Sequence, residues 1–139
     1  MSPENPEDES PVRNILLISE DRTDIRYIEQ QFMDISGLNC RLLSTNSVSN
    51  ALEKLENKDL KIDAIILDAR LSGLDNPETL FATLKRDSHD IPIIILTSDA
   101  DEESEFTQRI LAAGAAGHIH RKRMSSLVRL IGTILFTPT

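Results

Sequence analysis

Asp68 closes the run Asp63-Ala64-Ile65-Ile66-Leu67, apolar from Ala64 onward, and two other apolar runs end in groups suited to the same chemistry. Asn14-Ile15-Leu16-Leu17-Ile18-Ser19 leads into Glu20-Asp21, and Ile91-Pro92-Ile93-Ile94-Ile95-Leu96 leads into Thr97-Ser98. A run that is apolar at every position reads as a strand buried on both faces. In an open α/β sheet, ligands sit beyond the carboxyl ends of such strands. If the three strands are parallel neighbours, two or three carboxylates and one hydroxyl converge on a single crevice. That is a hard-cation site with a reactive oxygen beside it.

The elements that must position these groups alternate along the chain. Ile25, Ile28 and Phe32 mark one face of a helix after the first strand, and Ser36-Gly37-Leu38-Asn39 breaks it. Residues 40–43 form a short second strand. Val48, Ala51, Leu52 and Leu55 follow helical spacing behind a cap at Asn46 or Ser47. The third strand spans 64–67. Pro77 suits a first helical turn, and Leu80, Phe81 and Leu84 form the buried stripe behind it. The fourth strand spans 93–96. Acidic residues 99–103 favour a helix start, Phe106, Ile110 and Leu111 bury that helix, and Gly114 stops it. Residues 116–120 are a weak fifth strand. Leu127, Leu130, Ile131, Ile134 and Leu135 make a last amphipathic helix. Strict alternation predicts a (βα)5 domain with a parallel sheet and helices on both faces.

Composition limits the function classes. The 139 residues suit one domain with a full core, and 40% hydrophobic with 27% charged residues favours a soluble globular chain. A net charge of −8 argues against direct nucleic-acid binding. No apolar stretch is long enough to span a bilayer, and residues 1–6 lack the regions of a signal peptide, so a cytoplasmic location is expected. Residues 1–12 carry Glu4, Glu7, Asp8 and Glu9 with three prolines and no Lys or Arg, and read as a disordered acidic leader. The domain is expected over 13–136, with 137–139 as a tail. The single cysteine, Cys40, fits core packing better than a disulfide or zinc site. The glycines form no phosphate-cradling fingerprint.

Over roughly 13–136 the chain resembles the receiver domains of two-component response regulators, the CheY-like superfamily. The resemblance rests on the acidic pair Glu20-Asp21, on Asp68, on Thr97 and on Gly114-Ala115, in that order and spacing. It implies a flavodoxin-like sheet with strand order 2-1-3-4-5. It also implies a phosphoprotein rather than an enzyme with a separate substrate. Asp68 would take a phosphoryl group from a histidine kinase or a histidine phosphotransfer protein, and could catalyse its own phosphorylation and dephosphorylation. Mg2+ would be held by Asp21 and Asp68, by Glu20 directly or through water, and by the backbone carbonyl of Arg70. Thr97 would bond the phosphoryl group, with small Ser98 beside it leaving access, and His118 would stand at the aromatic switch position. The signal would leave through the face of helix four, strand five and helix five towards an output protein or domain. A homodimer through helices four and five is a habit of the family.

The chain departs from the pattern at the lysine that follows strand five. Counting from Gly114-Ala115, that position is Arg121, with Lys122 next. Arginine also pairs with phosphate but is not interchangeable with lysine. Occupancy by Arg121 is the preferred reading, and a one-residue shift would bring Lys122 in instead. This departure keeps open a degenerate receiver that serves only as an interaction module. A Mg2+-dependent aspartyl phosphatase of the haloacid-dehalogenase type is a weaker rival, because those enzymes need an Asp where Arg70 stands.

Arg70 lies two residues after the acceptor and Asp99 two after Thr97, positions that in the family flank the path of the hydrolytic water. An ion pair between them would shield the acyl phosphate. Arg70→Ala is then expected to speed autodephosphorylation, measured as loss of label from the phosphorylated domain; an unchanged rate removes the idea.

Overall fold

The interior strands leave no polar face to offer water, so each needs a helical layer on both sides. The computed structural model describes residues 12–34, 40–69, 77–88, 90–97 and 105–136. Among them five strands alternate with five helices. These are β1 (Arg13–Ile18), α1 (Arg22–Asp34), β2 (Cys40–Thr45), α2 (Val48–Glu56), β3 (Ala64–Asp68), α3 (Pro77–Ser88), β4 (Ile93–Thr97), α4 (Glu105–Ala112), β5 (Gly117–His120) and α5 (Leu127–Phe136). A 3-10 turn over Arg121–Ser126 joins β5 to α5. All four strand pairings are parallel, and the sheet order is β2-β1-β3-β4-β5. Fold class and strand order are those the sequence implied. Residues 1–11 of the expected 1–12 leader, the tail 137–139, the acidic stretch 99–103, and the site candidates Arg70, Ser98 and Asp99 lie outside the described residues.

Side-chain alternation divides the core into two layers. Leu16, Ile18, Ile65, Leu67, Ile93 and Ile95 pack with Ala51 of α2, Phe81 and Leu84 of α3, and Ile110 of α4. Ile15, Leu17, Ala64, Ile66, Ile94 and Leu96 pack with Ile28 and Phe32 of α1 and with Leu127, Val128 and Ile131 of α5. A strand residue's parity therefore states which helical layer its side chain meets. Cys40 packs at the margin of the α1–α5 layer, where burial pushes its thiol pKa up and keeps it protonated.

Several strand boundaries differ from expectation; β3 and β4 each run one residue further, to Asp68 and Thr97. β2 continues to Thr45 because Ser44 and Thr45 stay paired with Leu17 and Ile18, and the Ser19 N–H donates to the Thr45 carbonyl at 3.0 Å. An edge strand accommodates such polar residues, which hid it from an apolar-run criterion. β5 begins at Gly117, one residue later than expected. Helix ends follow local chemistry. Ser47 caps α2, its Oγ accepting the Asn50 N–H at 3.2 Å. Gly114 ends α4 at a φ of 119°, with the Ala115 N–H on the Ile110 carbonyl and the Gly114 N–H on the Leu111 carbonyl, both at 3.1 Å. This is the paired hydrogen-bond closure that a left-handed glycine permits.

Ile66 lies on the central strand and is fully buried between β3 and the α1–α5 layer. Ile66→Ala is expected to lower stability by about 2–5 kcal/mol through lost transfer energy and a residual cavity. Urea unfolding followed by circular dichroism measures this, with the slope unchanged if the native fold is kept.

Candidate functional site

Register decides what stands beside Asp68. Ile18 pairs with Leu67, so the next residue along each strand, Ser19 and Asp68, are neighbours at the carboxyl edge. Both follow the parity of the residues that meet the α1–α5 layer: Ile15 and Leu17 before Ser19, Ala64 and Ile66 before Asp68. The Ser19 hydroxyl accordingly donates to Asp68 Oδ2 at 3.0 Å, and both residues are buried, Asp68 with 2% of its surface exposed. The Ser19 oxygen in turn accepts the Asp21 N–H at 3.1 Å. The buried carboxylate thus has a neutral donor from β1.

Asp21, expected as the metal ligand of β1, is engaged in another way. Its carbonyl accepts the Ile25 N–H at 3.0 Å and its Oδ1 accepts the Asp24 N–H at 3.0 Å, which makes it the N-cap of α1. Its Oδ2 takes Nη2 of Arg121 at 3.1 Å. The same Nη2 donates to Oδ1 of Asp24 at 2.8 Å. Glu20 is exposed and faces a polar cleft of about 650 Å3 that Ser19, Thr45 and Asn46 also line. Among the described residues no three His, Cys, Asp or Glu side chains converge as a ready metal centre.

Arg121 reaches this position because it continues the parity of Ile119, which packs on the α1–α5 layer. Its pKa is raised by the hydrogen bond with Asp24, opposed by burial, and raised further by the charges of Asp24, Asp21 and Asp68. Lys122 is exposed, and its backbone N–H donates to Nδ1 of His120 at 3.0 Å, fixing the start of the 3-10 turn. Of the two basic residues weighed for this corner, Arg121 is the one that meets the acidic groups of α1.

Thr97 has the opposite parity from Asp68. It follows Ile93 and Ile95, whose side chains meet the α2–α3–α4 layer, and it is fully buried. Its hydroxyl donates to the Ile119 carbonyl at 3.4 Å, a long and weak bond. His118 pairs with Ile95 and shares that face; its Nδ1 is buried without a hydrogen-bond partner. The site therefore has two halves. Asp68, Ser19 and Arg121 share one face of the sheet, and Thr97 and His118 share the other.

Sequence reasoning did not single out Ser19 or Asp24. Ser19 was legible in principle, because aligning the ends of two buried apolar runs places it level with Asp68. Asp24 stands three residues after the cap, the spacing of a reciprocal capping motif. Removing Asp21 separates its two roles. Asp21→Ala is expected to cost about 1–2 kcal/mol of stability, whereas Asp21→Asn keeps a cap acceptor and costs less. Denaturant midpoints measure the difference, and equal losses would show that the cap contributes nothing.

The geometry can be set beside known proteins. A family model described as the response regulator receiver domain matches residues 15–131. A search by sequence among curated proteins gives no match. Among solved structures, the phosphorylated cyanobacterial phytochrome response regulator RcpA is similar at 18% identity and a TM-score of 0.74, covering 91% of this chain and 96% of its own. The Mn2+-bound form of the response regulator Rcp1 is similar at 21% identity and a TM-score of 0.70, covering 91% and 97%. The receiver domain of the sensor histidine kinase PA1611 from Pseudomonas aeruginosa PAO1, with magnesium coordinated in its active-site cleft, is similar at 22% identity and a TM-score of 0.65, covering 88% and 99%. With its parallel 2-1-3-4-5 sheet and the family match over residues 15–131, the chain belongs to the response regulator receiver domain family.

Proposed function

We propose that this receiver domain accepts a phosphoryl group on Asp68 from a histidine kinase or a histidine phosphotransfer protein. The observation that carries the reading is the placement of Asp68, a buried carboxylate at the carboxyl edge of the central strand. In the transfer, an Asp68 oxygen forms a bond to phosphorus as the phosphorus–nitrogen bond of a phosphohistidine breaks. The histidine nitrogen keeps the electron pair and takes a proton from solvent. Catalysis of such a step is mainly positioning and charge compensation. Ser19 orients the carboxylate through its hydrogen bond to Oδ2. The Arg121 guanidinium, within electrostatic reach of Asp68, offers positive charge to the incoming anion.

The donor set also suits a hard divalent cation. Mg2+ is commonly held by one or two carboxylates plus waters and a phosphoryl oxygen. Asp21 and Asp68 would supply the carboxylates, with Glu20 joining directly or through water; Asp21 keeps lone pairs beside its bonds from Arg121 and the Asp24 N–H. Bound there, Mg2+ would offset the repulsion between the acceptor and an anionic donor. The solved structures of Rcp1 with Mn2+ and of the PA1611 receiver with magnesium support this choice of ion.

Thr97 is the natural reader of the new charge. To bond an oxygen on Asp68 its hydroxyl has to leave the Ile119 carbonyl, and that bond is weak. Exchange of this acceptor alters β5 beside His118 and so biases the face of α4, β5 and α5 towards an output protein or domain. The domain is a signalling phosphoprotein in this reading, located in the cytoplasm. A specific observation favours a second reading. Ser19 and Arg121 already compensate charge around Asp68, as an interaction-only receiver would allow.

Beryllofluoride with Mg2+ separates the two. Amide resonances of Ser19, Thr97, Ile119 and Arg121 are expected to shift in the wild-type domain and to stay unchanged in Asp68→Asn. No shift in the wild type would leave the interaction-only reading standing.

A further inference from the structure

Asp24 has no part in the transfer described above, yet it is among the most buried charged residues of the domain, with 2% of its surface exposed. A carboxylate so placed is stable only if paired. Its partner is Arg121, at 2.8 Å, across 97 residues of sequence. The cluster of Asp24, Asp21 and Arg121 joins the first turn of α1 to the residue that follows β5. Two carboxylates sit at a helix N-terminus, where the backbone dipole favours negative charge. The guanidinium is thus held by two ion pairs on the α1 side.

Nη2 of Arg121 lies 2.8 Å from Asp24 Oδ1 and 3.1 Å from Asp21 Oδ2. The Nε–H of Arg121 is buried and has no acceptor among the described residues. A phosphoryl group on Asp68 would bring new acceptor oxygens and more negative charge to a guanidinium with one donor unmatched. Bidentate pairing with phosphate is a geometry that arginine favours. Asp24 and the phosphoryl group would then compete for one cation.

We infer that Asp24 is a positioning residue that commits Arg121 to helix α1 in the unphosphorylated domain, so that a phosphoryl group on Asp68 recruits Arg121 only by displacing Asp24. This rests on the reading of Asp68 as the phosphoacceptor. Any free energy that favours the Asp24–Arg121 pair is subtracted from the affinity for the phosphoryl group, because the two states are linked. The latch also couples the acceptor to α1, a helix outside the α4–β5–α5 face.

The test is a titration of the full 139-residue chain with beryllofluoride at saturating Mg2+, followed by amide shifts. Asp24→Asn is expected to bind the analogue about tenfold more tightly than wild type, within the usual range of coupling between sites. Asp24→Glu, which keeps the charge, is expected to stay near wild type. In an Arg121→Ala background, Asp24→Asn is expected to change nothing. Urea unfolding of Asp24→Asn with a wild-type slope guards against a folding defect. The inference is overturned if wild type binds and Asp24→Asn binds equally or more weakly while unfolding cooperatively. It is also overturned if Asp24→Asn tightens binding equally in both backgrounds, since removal of a negative charge would then explain the effect. If neither wild type nor any variant binds, the reading of Asp68 as acceptor fails, and the inference goes with it.

Discussion

Parallel pairing of β1 with β3 is the constraint on which the site depends. Once Ile18 is level with Leu67, the residues one step further are committed. Ser19 must face Asp68, and Asp21 must fall two residues beyond, where the chain turns into α1. A one-residue change in register would invert the parity of the whole strand. It would put Ile15 and Leu17 into the other helical layer and bring Glu20 level with Asp68. Burial of both layers forbids that shift. The hydroxyl beside Asp68 is therefore a consequence of core packing, and not only of local sequence.

The same parity rule accounts for the division of labour across the sheet. Residues at the carboxyl edge with the parity of Leu17 and Ile66 meet α1 and α5, and these are Ser19, Asp68 and Arg121. Residues with the parity of Ile95 meet α2, α3 and α4, and these are Thr97 and His118. In the proposed reading, a charge placed on one side would be read on the other through the bond between Thr97 and the Ile119 carbonyl, which is already long. A weak bond at this point suits an exchange of acceptors, because little is lost when it breaks.

Most of the fold was legible in the sequence, for a physical reason. The strands Ala64–Asp68 and Ile93–Thr97 are buried at every position, so they appear as plain apolar runs. Gly114 announced the end of α4 because only a glycine readily takes that backbone conformation. The extension of β2 to Thr45 was not legible, since edge-strand pairing is made by backbone groups and leaves no apolar signature. In the site, Asp68 and the basic corner at Arg121 could be placed by spacing. The partners of Arg121 could not, because ion pairs across 97 residues follow from three-dimensional parity and not from proximity in sequence. Asp21 illustrates the ambiguity: an acid after a strand and before a helix can serve as ligand, as cap or as both, and its cap role is the one visible in the hydrogen bonds.

The long reach of the Arg121–Asp24 pair has a kinetic consequence. It can close only after β5 has joined the sheet, because β5 carries Arg121 to the edge and pairs with β4 rather than with β1. Contacts of such sequence separation form late, after loop-closure entropy has been met by the pairings between neighbouring strands. Interactions absent from the folding transition state slow unfolding without speeding folding. The ion cluster thus acts as a clasp on the finished domain: it lengthens the lifetime of the assembled sheet and leaves the route to that sheet to the apolar strands.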